Sequence, residues 1–397
     1  MWRGRPLRIL HLPAAVGGHA PALAAAERAL GAESRCVVYH EPPFGYRADE
    51  VLFAHGAGPV RKQLARVRLL ARALAWADVV HCNFGRSVAP IADPRPAVGP
   101  LRAPLEAARR LLGRAVELQD LPLLRAAGKA VFVTYQGDDA RQGDVCRRHF
   151  PTHFVHEVEA GYYTPEKDAA ARRRIARAAR WAHGLYALNP DLLRVLPARA
   201  RFLPYASVDP RAWVPSERPA GAGSDRPVVV HAPTHRAVKG TRFVLDAVER
   251  LRREQGLDVE LVLVEGMARE DARTLYARAD LVIDQLLAGF YGGLAVEAMA
   301  LGRPVACYLR EEDLGALPPA MRAELPLIPV SPSTLAEDLR VLLGPRRGEL
   351  AAQGARGRAF ALRWHDPLEV ARGLLQDYRA ALEGAPPAAG ADPRPQA

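Results

Sequence analysis

The sequence predicts an α/β protein made of two doubly wound domains that face a central cleft. Three observations lead to this fold class. The chain has 397 residues, which is long for one domain and suits two. Its apolar runs are mostly continuous in Val, Leu and Ile, as in parallel strands buried on both faces. A segment rich in proline and glycine separates two regions that share the same strand–helix rhythm, which indicates two Rossmann-like halves.

The first region, residues 1–214, is predicted to be an N-terminal Rossmann-like domain. Six strands are predicted, at 7–13, 35–39, 78–83, 130–135, 185–189 and 202–205. Helical stretches at 19–30 and 60–76 lie between them, so the order of elements is the βαβ pattern of a parallel sheet.

Residues 215–227 are predicted to be a linker, because they are dense in Pro, Gly and Ser. A second Rossmann-like domain then covers 228–364. Its strands are predicted at 228–231, 259–265, 281–284 and 304–308, and its helices at 241–255, 270–278, 294–301, 333–343 and 349–362. A helix at 365–383 follows, and a disordered tail is expected at 384–397.

Charge and cysteine content narrow the function classes. The chain carries 55 Lys and Arg against 44 Asp and Glu, a formal charge of +11, which favours anionic partners such as phosphates. It has no zinc-finger spacing, aromatic RNA-binding motif or basic heptad array, so nucleic acid is not expected as a partner. The four cysteines form no CxxC pair, which argues against a disulfide framework and fits the cytoplasm. No apolar run could span a membrane, and no cleaved leader is expected.

The strongest motif spans residues 289–305 and has the sequence GFYGGLAVEAMALGRPV. A strand ends just before it and a helix begins within it. Backbone N–H groups at such a helix start can bind a phosphate without any side chain, and Gly292 and Gly293 allow close approach. Glu297 lies about one turn into the helix, where its carboxylate could accept hydrogen bonds from a ribose diol. From the pattern alone, an ordinary βαβ turn with a solvated glutamate fits equally well.

This segment resembles the signature of the retaining GT-B glycosyltransferases of the family 4-like group, whose usual form is EGFGxxxxEAMAxGxPV. The resemblance implies that Glu297 holds the ribose of a nucleotide-diphosphate sugar. It also implies that the backbone from Gly292 through Gly293 to Leu294 holds the diphosphate. The first glutamate of the family pattern falls on Gly289 in this chain. A carboxylate that usually contacts the transferred sugar is therefore missing, and the identity of that sugar is left open.

A second motif, HAPTHRAVKGT, covers residues 231–241. Lys239 and Arg236 could neutralise a diphosphate leaving group as its charge develops, so both are candidate catalytic residues. The family commonly has an arginine five residues before a Lys-Gly pair. This chain keeps the pair at Lys239 but has Thr234 in the arginine position. A solvated basic loop is the alternative interpretation.

The resemblance also implies that the first region, 1–214, binds the acceptor and that the helix at 365–383 crosses back to this region. The first region contains weaker candidates. Gly17, Gly18 and His19 follow the first strand, where the resemblance implies an acceptor-facing glycine loop and a simple turn fits as well. His81 is interpreted as a structural residue.

The segment YQGDD at 135–139 occupies the place of a His-Gly-x-Asp motif in many relatives. Gln136, a further candidate catalytic residue, stands in the histidine position, where it can form hydrogen bonds but cannot shuttle a proton. Asp138 is a further candidate for binding the acceptor.

Residues 60–76 form a helical stretch with basic residues, no acidic residue and an apolar stripe. Such a helix could lie on an anionic membrane at the inner face. A helix packed on a sheet has the same stripe, and that interpretation is favoured.

Together these features predict a hexosyl- or N-acetylhexosaminyltransferase that uses a nucleotide sugar and a glycan, lipid-linked or small-molecule acceptor. No cofactor or metal is expected, because no DxD pair is placed for a metal. The alternatives are a catalytically weak GT-B scaffold that binds nucleotide or glycan, and a nucleotide-sugar epimerase. An NAD-dependent oxidoreductase is disfavoured, since no GxGxxG follows either first strand.

Overall fold

A computed structural model describes residues 5–42, 45–91, 111–215, 220–222 and 226–385. The chain divides into two compact units that are not continuous in sequence. Within the described ranges, the first unit comprises the residues up to 145, 163–203 and 370–385, and the second comprises 146–162 and 204–369. Residues 146–162 thus fall in the second unit although they precede the predicted boundary at 214. Parts of the predicted linker (216–219 and 223–225) and most of the predicted tail (386–397) lie outside the described residues.

The first unit contains a parallel sheet of the strands Arg8–Leu12 (β1), Glu33–Val38 (β2), Glu50–Val51 (β3), Val79–Asn83 (β4), Ala130–Tyr135 (β5), Gly184–Ala187 (β6) and Arg201–Phe202 (β7). Their order is β3-β2-β1-β4-β5-β6-β7. The central strands are buried on both faces, with Leu10, Val80 and Phe132 fully inaccessible, which explains their continuous apolar sequences.

The second unit has a parallel sheet of Val228–His231 (β8), Glu260–Leu263 (β9), Leu281–Ile283 (β10), Val305–Cys307 (β11) and Ile328–Pro329 (β12). The strand order is β12-β11-β10-β8-β9. The order reverses around β8 and β10, and ligands of doubly wound sheets bind beyond the carboxyl ends of strands at such points.

The helices lie between these strands in the sequence. The α-helices that the structure describes are His19–Ala29, Pro59–Trp76, Asp120–Ala126, Gly143–His149, Pro165–Trp181, Arg236–Lys239, Thr241–Gln255, Arg269–Arg278, Gly293–Ala300, Glu311–Leu314, Pro319–Ala323, Leu335–Leu343, Leu350–Trp364 and Pro367–Leu382. The alternation of helices and parallel strands confirms the predicted fold class.

The last helix, Pro367–Leu382, belongs to the first unit from Val370 onward. Its Tyr378 hydroxyl lies 2.5 Å from Nδ1 of His81, and its Asp377 accepts a hydrogen bond of 2.6 Å from the Tyr186 hydroxyl. These buried polar contacts fix the helix on the first sheet.

Candidate functional site

The predicted phosphate-binding turn lies beyond strand β10 in the second unit. Gly292 is the N-cap of the helix Gly293–Ala300, and no side chain caps that end. Among the described residues, the N–H groups of Gly293 and Leu294 have no hydrogen-bond acceptor. Donors left open at a helix start, together with the helix dipole, favour an anion.

Asp284 holds this turn in place, a role that the sequence analysis missed. Its carboxylate is fully buried, and Oδ2 accepts a hydrogen bond of 2.5 Å from the Gly292 N–H. One of the N–H groups predicted to hold a diphosphate is therefore already occupied by an internal carboxylate. An acidic residue at a strand end, just before a glycine loop, was the available signal.

Lys239 lies against the same turn. A Cβ added to Gly292 would be 3.2 Å from its Nζ, so the lysine side chain packs closely on this turn. The Lys239 ammonium donates to Gln285 Oε1 at 2.7 Å and lies 3.5 Å from Asp284 Oδ1. The structure thus places a mostly buried cation beside the open helix start, and its role at a diphosphate stays a prediction.

Arg236 is placed differently, although the sequence groups it with Lys239. Its guanidinium forms a two-pronged ion pair with Glu265, at 2.9 and 2.6 Å. The side chain is 59% exposed, and its hydrogen bond to Glu265 raises the pKa of the guanidinium. The described contacts therefore commit Arg236 to a surface ion pair, where screening by water is strong.

Glu297 lies in the first turns of the signature helix and is buried. Its Oε1 accepts a hydrogen bond of 2.9 Å from Arg269 Nε, and the Arg269 guanidinium lies 4.8 Å from the centre of the Trp213 ring. A carboxylate offers about four lone-pair sites on two oxygens. Glu297 can therefore keep Arg269 and still accept hydrogen bonds from a diol.

Gly289, at the position of the family's first glutamate, has a left-handed φ of +80°. A Cβ there would lie 2.5 Å from Cζ and Nη1 of Arg310. Arg310 is itself fixed, because its guanidinium stacks 3.6 Å over the Phe150 ring and pairs with Asp313. The missing carboxylate is thus replaced by a tightly packed arginine that needs glycine beside it.

The glycine loop of the first unit is conformationally required. Gly17 and Gly18 have φ of 59° and 73°, and a Cβ on Gly18 would lie 2.4 Å from the Tyr46 ring. His19 then begins the first helix and is buried. The conformation of this turn is enough to explain the two glycines. A role of the loop in binding the acceptor therefore stays a prediction.

Gln136 stands at the end of strand β5, in a loop whose backbone is fixed. The Asp139 carboxylate accepts from the Gln136 and Gly137 N–H groups, and Asn189 Nδ2 donates to the Gln136 carbonyl at 2.8 Å. Burial raises the pKa of Asp139 to about 6.

The Gln136 side-chain amide, by contrast, is buried with neither its oxygen nor its nitrogen hydrogen-bonded within the described structure. A buried amide whose donor and acceptor both lack hydrogen bonds costs folding free energy, unless a ligand supplies the missing partners.

Asp138 and His81 have partners inside the first unit. The Tyr163 hydroxyl donates to Asp138 Oδ1 at 2.5 Å, so this predicted acceptor residue is part of a hydrogen-bonded loop. His81 Nε2 lies 2.7 Å from the Thr134 hydroxyl. Burial lowers its pKa well below the ordinary value, which agrees with a structural role.

Over the described ranges, no helix is long and apolar enough to cross a membrane. The same residues contain no cluster of three His, Cys, Asp or Glu side chains that could hold a metal ion.

The two Rossmann-like units with this glycine turn define the GT-B glycosyltransferase fold. No family model matches the chain. Its sequence is similar to D-inositol 3-phosphate glycosyltransferase of Mycobacterium tuberculosis, 29% identical over 144 residues, which are 34% of this chain and 28% of that protein. The match thus spans less than a third of that relative.

Solved structures extend the similarity of fold to nearly the whole chain. Sucrose-phosphate synthase from Thermosynechococcus elongatus matches with a TM-score of 0.58 and 16% identity, over 96% of this chain and all of that one. The catalytic domain of starch synthase IV from Arabidopsis thaliana, bound to ADP and acarbose, matches with a TM-score of 0.54 and 11% identity, over 96% and 100%. At these identities the structures establish the GT-B fold.

Proposed function

We propose that this protein transfers a hexosyl or N-acetylhexosaminyl group from a nucleotide-diphosphate sugar to an acceptor hydroxyl on a glycan, a lipid-linked molecule or a small molecule. The observation that carries the proposal is the Lys239 ammonium beside the open start of the helix Gly293–Ala300. A cation and a helix N-terminus at one point form a binding site for a diphosphate.

The donor is held by three groups in the second unit. The N–H groups of Gly293 and Leu294 bind the diphosphate together with Lys239, and Glu297 accepts hydrogen bonds from the ribose diol. The name of the mycobacterial relative and the ADP in the starch synthase structure support a nucleotide-sugar donor.

The reaction breaks the bond between the anomeric carbon and the diphosphate oxygen. The nucleoside diphosphate leaves with the electron pair, the acceptor oxygen bonds to the anomeric carbon, and the acceptor proton passes to the departing phosphate. Lys239 stabilises the charge that builds on that phosphate, so no metal is required. Retention of configuration follows from the family resemblance. Because the departing phosphate accepts the proton, Gln136 does not need to act as a general acid or base.

The first unit supplies acceptor contacts in this proposal. The unsatisfied amide of Gln136 offers a hydroxyl both a donor and an acceptor, so it takes part in the catalytic step by orienting the sugar. Gly17, Gly18, His19 and Asp138 line the acceptor side. All four cysteines are reduced and buried, which supports a cytoplasmic location.

A two-stage experiment tests the proposal. The purified chain is first heated with UDP-, GDP-, ADP- and TDP-sugars, since a ligand that binds the folded state at about 100 times its Kd adds roughly 2.7 kcal/mol of stability. One nucleotide class should raise the melting temperature. That donor is then incubated with candidate acceptors, and release of the nucleoside diphosphate is measured.

Each outcome has a defined meaning. Acceptor-dependent release supports glycosyl transfer. A melting shift without turnover identifies a nucleotide-binding scaffold, the alternative that Gly289 favours. No shift with any nucleotide sugar contradicts the proposed donor site.

A further inference from the structure

The helix Pro59–Trp76 carries apolar side chains on two opposite faces. Leu69 and Ala73 are buried against the core of the first unit at 1% and 0% exposure. On the other side, Val60, Leu64 and Val67 are 72%, 53% and 64% exposed. A helix packed on a sheet needs one apolar stripe. The spacing of Val60, Leu64 and Val67 defines a second stripe that the core does not use.

Cations border this second stripe. The helix holds five basic residues and no acidic one. Lys62 and Arg66 lie over the Phe53 ring, and Arg72 pairs with Glu50 at 2.6 Å. Helical spacing places the two others, Arg61 and Arg68, along one edge of the exposed stripe, and no carboxylate in the described part of the chain pairs with them.

The surface is not explained by the general excess of arginine in this protein. The helix Thr241–Gln255 is also rich in arginine, but it contains acidic residues as well, and Arg250 lies 3.5 Å from Glu254. Its one exposed large apolar side chain is Leu245, at 40%. A helix with charges of both signs and a single exposed leucine is typical of a protein surface. The helix Pro59–Trp76 instead has only basic charges beside a continuous apolar stripe.

We propose that this basic–apolar face, made of Val60, Leu64 and Val67 with Arg61 and Arg68, binds the surface of an anionic lipid bilayer. The three apolar side chains enter the boundary between headgroups and acyl chains, and the two arginines contact lipid phosphates. A cavity of about 190 Å³ is lined by Phe53, His55 and Arg61. It leaves space for a lipid headgroup beside the Arg61 guanidinium.

Charge and polarity together select the bilayer as the occupant. Nucleic acid would use the arginines and leave the stripe in water, and a neutral apolar partner would leave the arginines unused. An anionic membrane uses both, because its surface potential attracts the cations and its interface takes the stripe. This contact goes beyond the transfer reaction and does not depend on it.

The test measures binding of the purified full chain to vesicles, without any nucleotide sugar. Vesicles of phosphatidylcholine alone are compared with vesicles that also contain phosphatidylglycerol, by co-sedimentation. The chain should bind the mixed vesicles and leave the neutral ones. L64S with V67S should weaken this binding by roughly 10- to 100-fold, since binding strength follows the buried apolar area. R61Q with R68Q should weaken it by about 25-fold, at about fivefold per lost charge.

The matched control is L245S with R250Q on the other basic helix, which should bind as the wild type does. All variants change exposed side chains and should keep the wild-type circular dichroism and melting temperature. Absence of binding to either vesicle, equal binding to both, or unchanged binding by the two face variants overturns the proposal.

Discussion

At the scale of single residues, Lys239 decides whether the proposed chemistry is right. Its charge adds to the helix dipole where negative charge grows on the leaving phosphate. The Lys239→Ala variant should therefore lose about 10²–10³-fold in kcat, comparable to losing one well-placed donor in the transition state. Steady-state kinetics with the best donor measures this, and KM should change less than kcat.

Arg236→Ala is the matched comparison for that variant. Arg236 lies three residues away but is committed to Glu265 on an exposed surface, so its loss should cost less than the loss of Lys239. Wild-type kcat in Lys239→Ala would show that the basic loop has no part in the reaction. Circular dichroism of both variants checks that they are folded.

Glu297 gives a test of ground-state binding. The Glu297→Ala variant should weaken nucleotide-sugar binding by about 1–3 kcal/mol, because a charged acceptor is removed. Isothermal titration measures the change. The substitution also takes from the half-buried Arg269 its carboxylate partner. Glu270→Ala, at the start of the preceding helix, is therefore the control for an ordinary surface glutamate. Equal affinity in Glu297→Ala would remove this residue from the site.

At the scale of elements, the loop around Gly289 tests why the family's first glutamate is absent. Gly289→Ala should lower the melting temperature, because a left-handed alanine costs roughly 1–2 kcal/mol and its Cβ meets Arg310 at 2.5 Å. Gly348→Ala is the control, since nothing lies within 4 Å of a Cβ there. Adding Arg310→Ala to the Gly289 variant relieves the overlap but breaks the pair with Asp313. A Gly289→Ala protein as stable as the wild type would show that the loop tolerates a side chain.

His365 links two elements of the second unit and makes stability depend on pH. Its Nδ1 lies 2.8 Å from the Tyr205 carbonyl and its Nε2 lies 3.0 Å from the Tyr291 hydroxyl, which suits a neutral ring with the proton on Nδ1. Burial lowers the pKa of His365 to about 4, whereas the unfolded value is about 6.5.

The unfolded state therefore binds more protons between these values, and stability rises with pH across this window. Acidification from pH 6.5 to 4 should cost about 3 kcal/mol through this group. Denaturant unfolding at several pH values should show a shallower decline for His365→Gln than for the wild type. Parallel declines would show that other groups dominate.

The sequence predicted those elements whose pattern is local. The signature helix was expected at 294–301 and is found at Gly293–Ala300, because glycine marks both of its ends. The two-residue strands Glu50–Val51 and Ile328–Pro329 were missed, since two residues are too few to show a strand period. Local patterns also pointed to Lys239 and the glycine turn, whose roles in binding stay predictions.

Contacts between distant parts of the chain could not be predicted. Asp284 on the Gly292 N–H, Arg269 on Glu297 and Arg310 beside Gly289 all join different elements. Periodicity shows which face of an element is buried and leaves open which side chain of another element meets it. The placement of Arg236 shows the same limit, because its nearness to Lys239 in sequence did not bring it to the same group.

At the scale of the whole molecule, the distribution of charge bears on the need for a metal. The chain carries a formal charge of +11, and the carboxylate nearest the proposed diphosphate site, Asp284, is already engaged by the Gly292 N–H and lies near Lys239. A divalent ion at the diphosphate would have to displace or repel that ammonium. In the proposed mechanism, the Lys239 ammonium and the helix start supply the positive charge in place of a metal.

Turnover in EDTA should therefore stay within about twofold of the rate in magnesium or manganese, since removing a metal that stabilised the leaving group would cost several kcal/mol. The assay compares the purified enzyme after chelation with the same sample after each ion is added back. Lys239→Ala provides an internal check, because a metal ion that merely substitutes for the lost charge should raise the activity of this variant and leave the wild type unchanged. Loss of wild-type turnover in EDTA that either ion restores would contradict catalysis by Lys239 and the helix start alone.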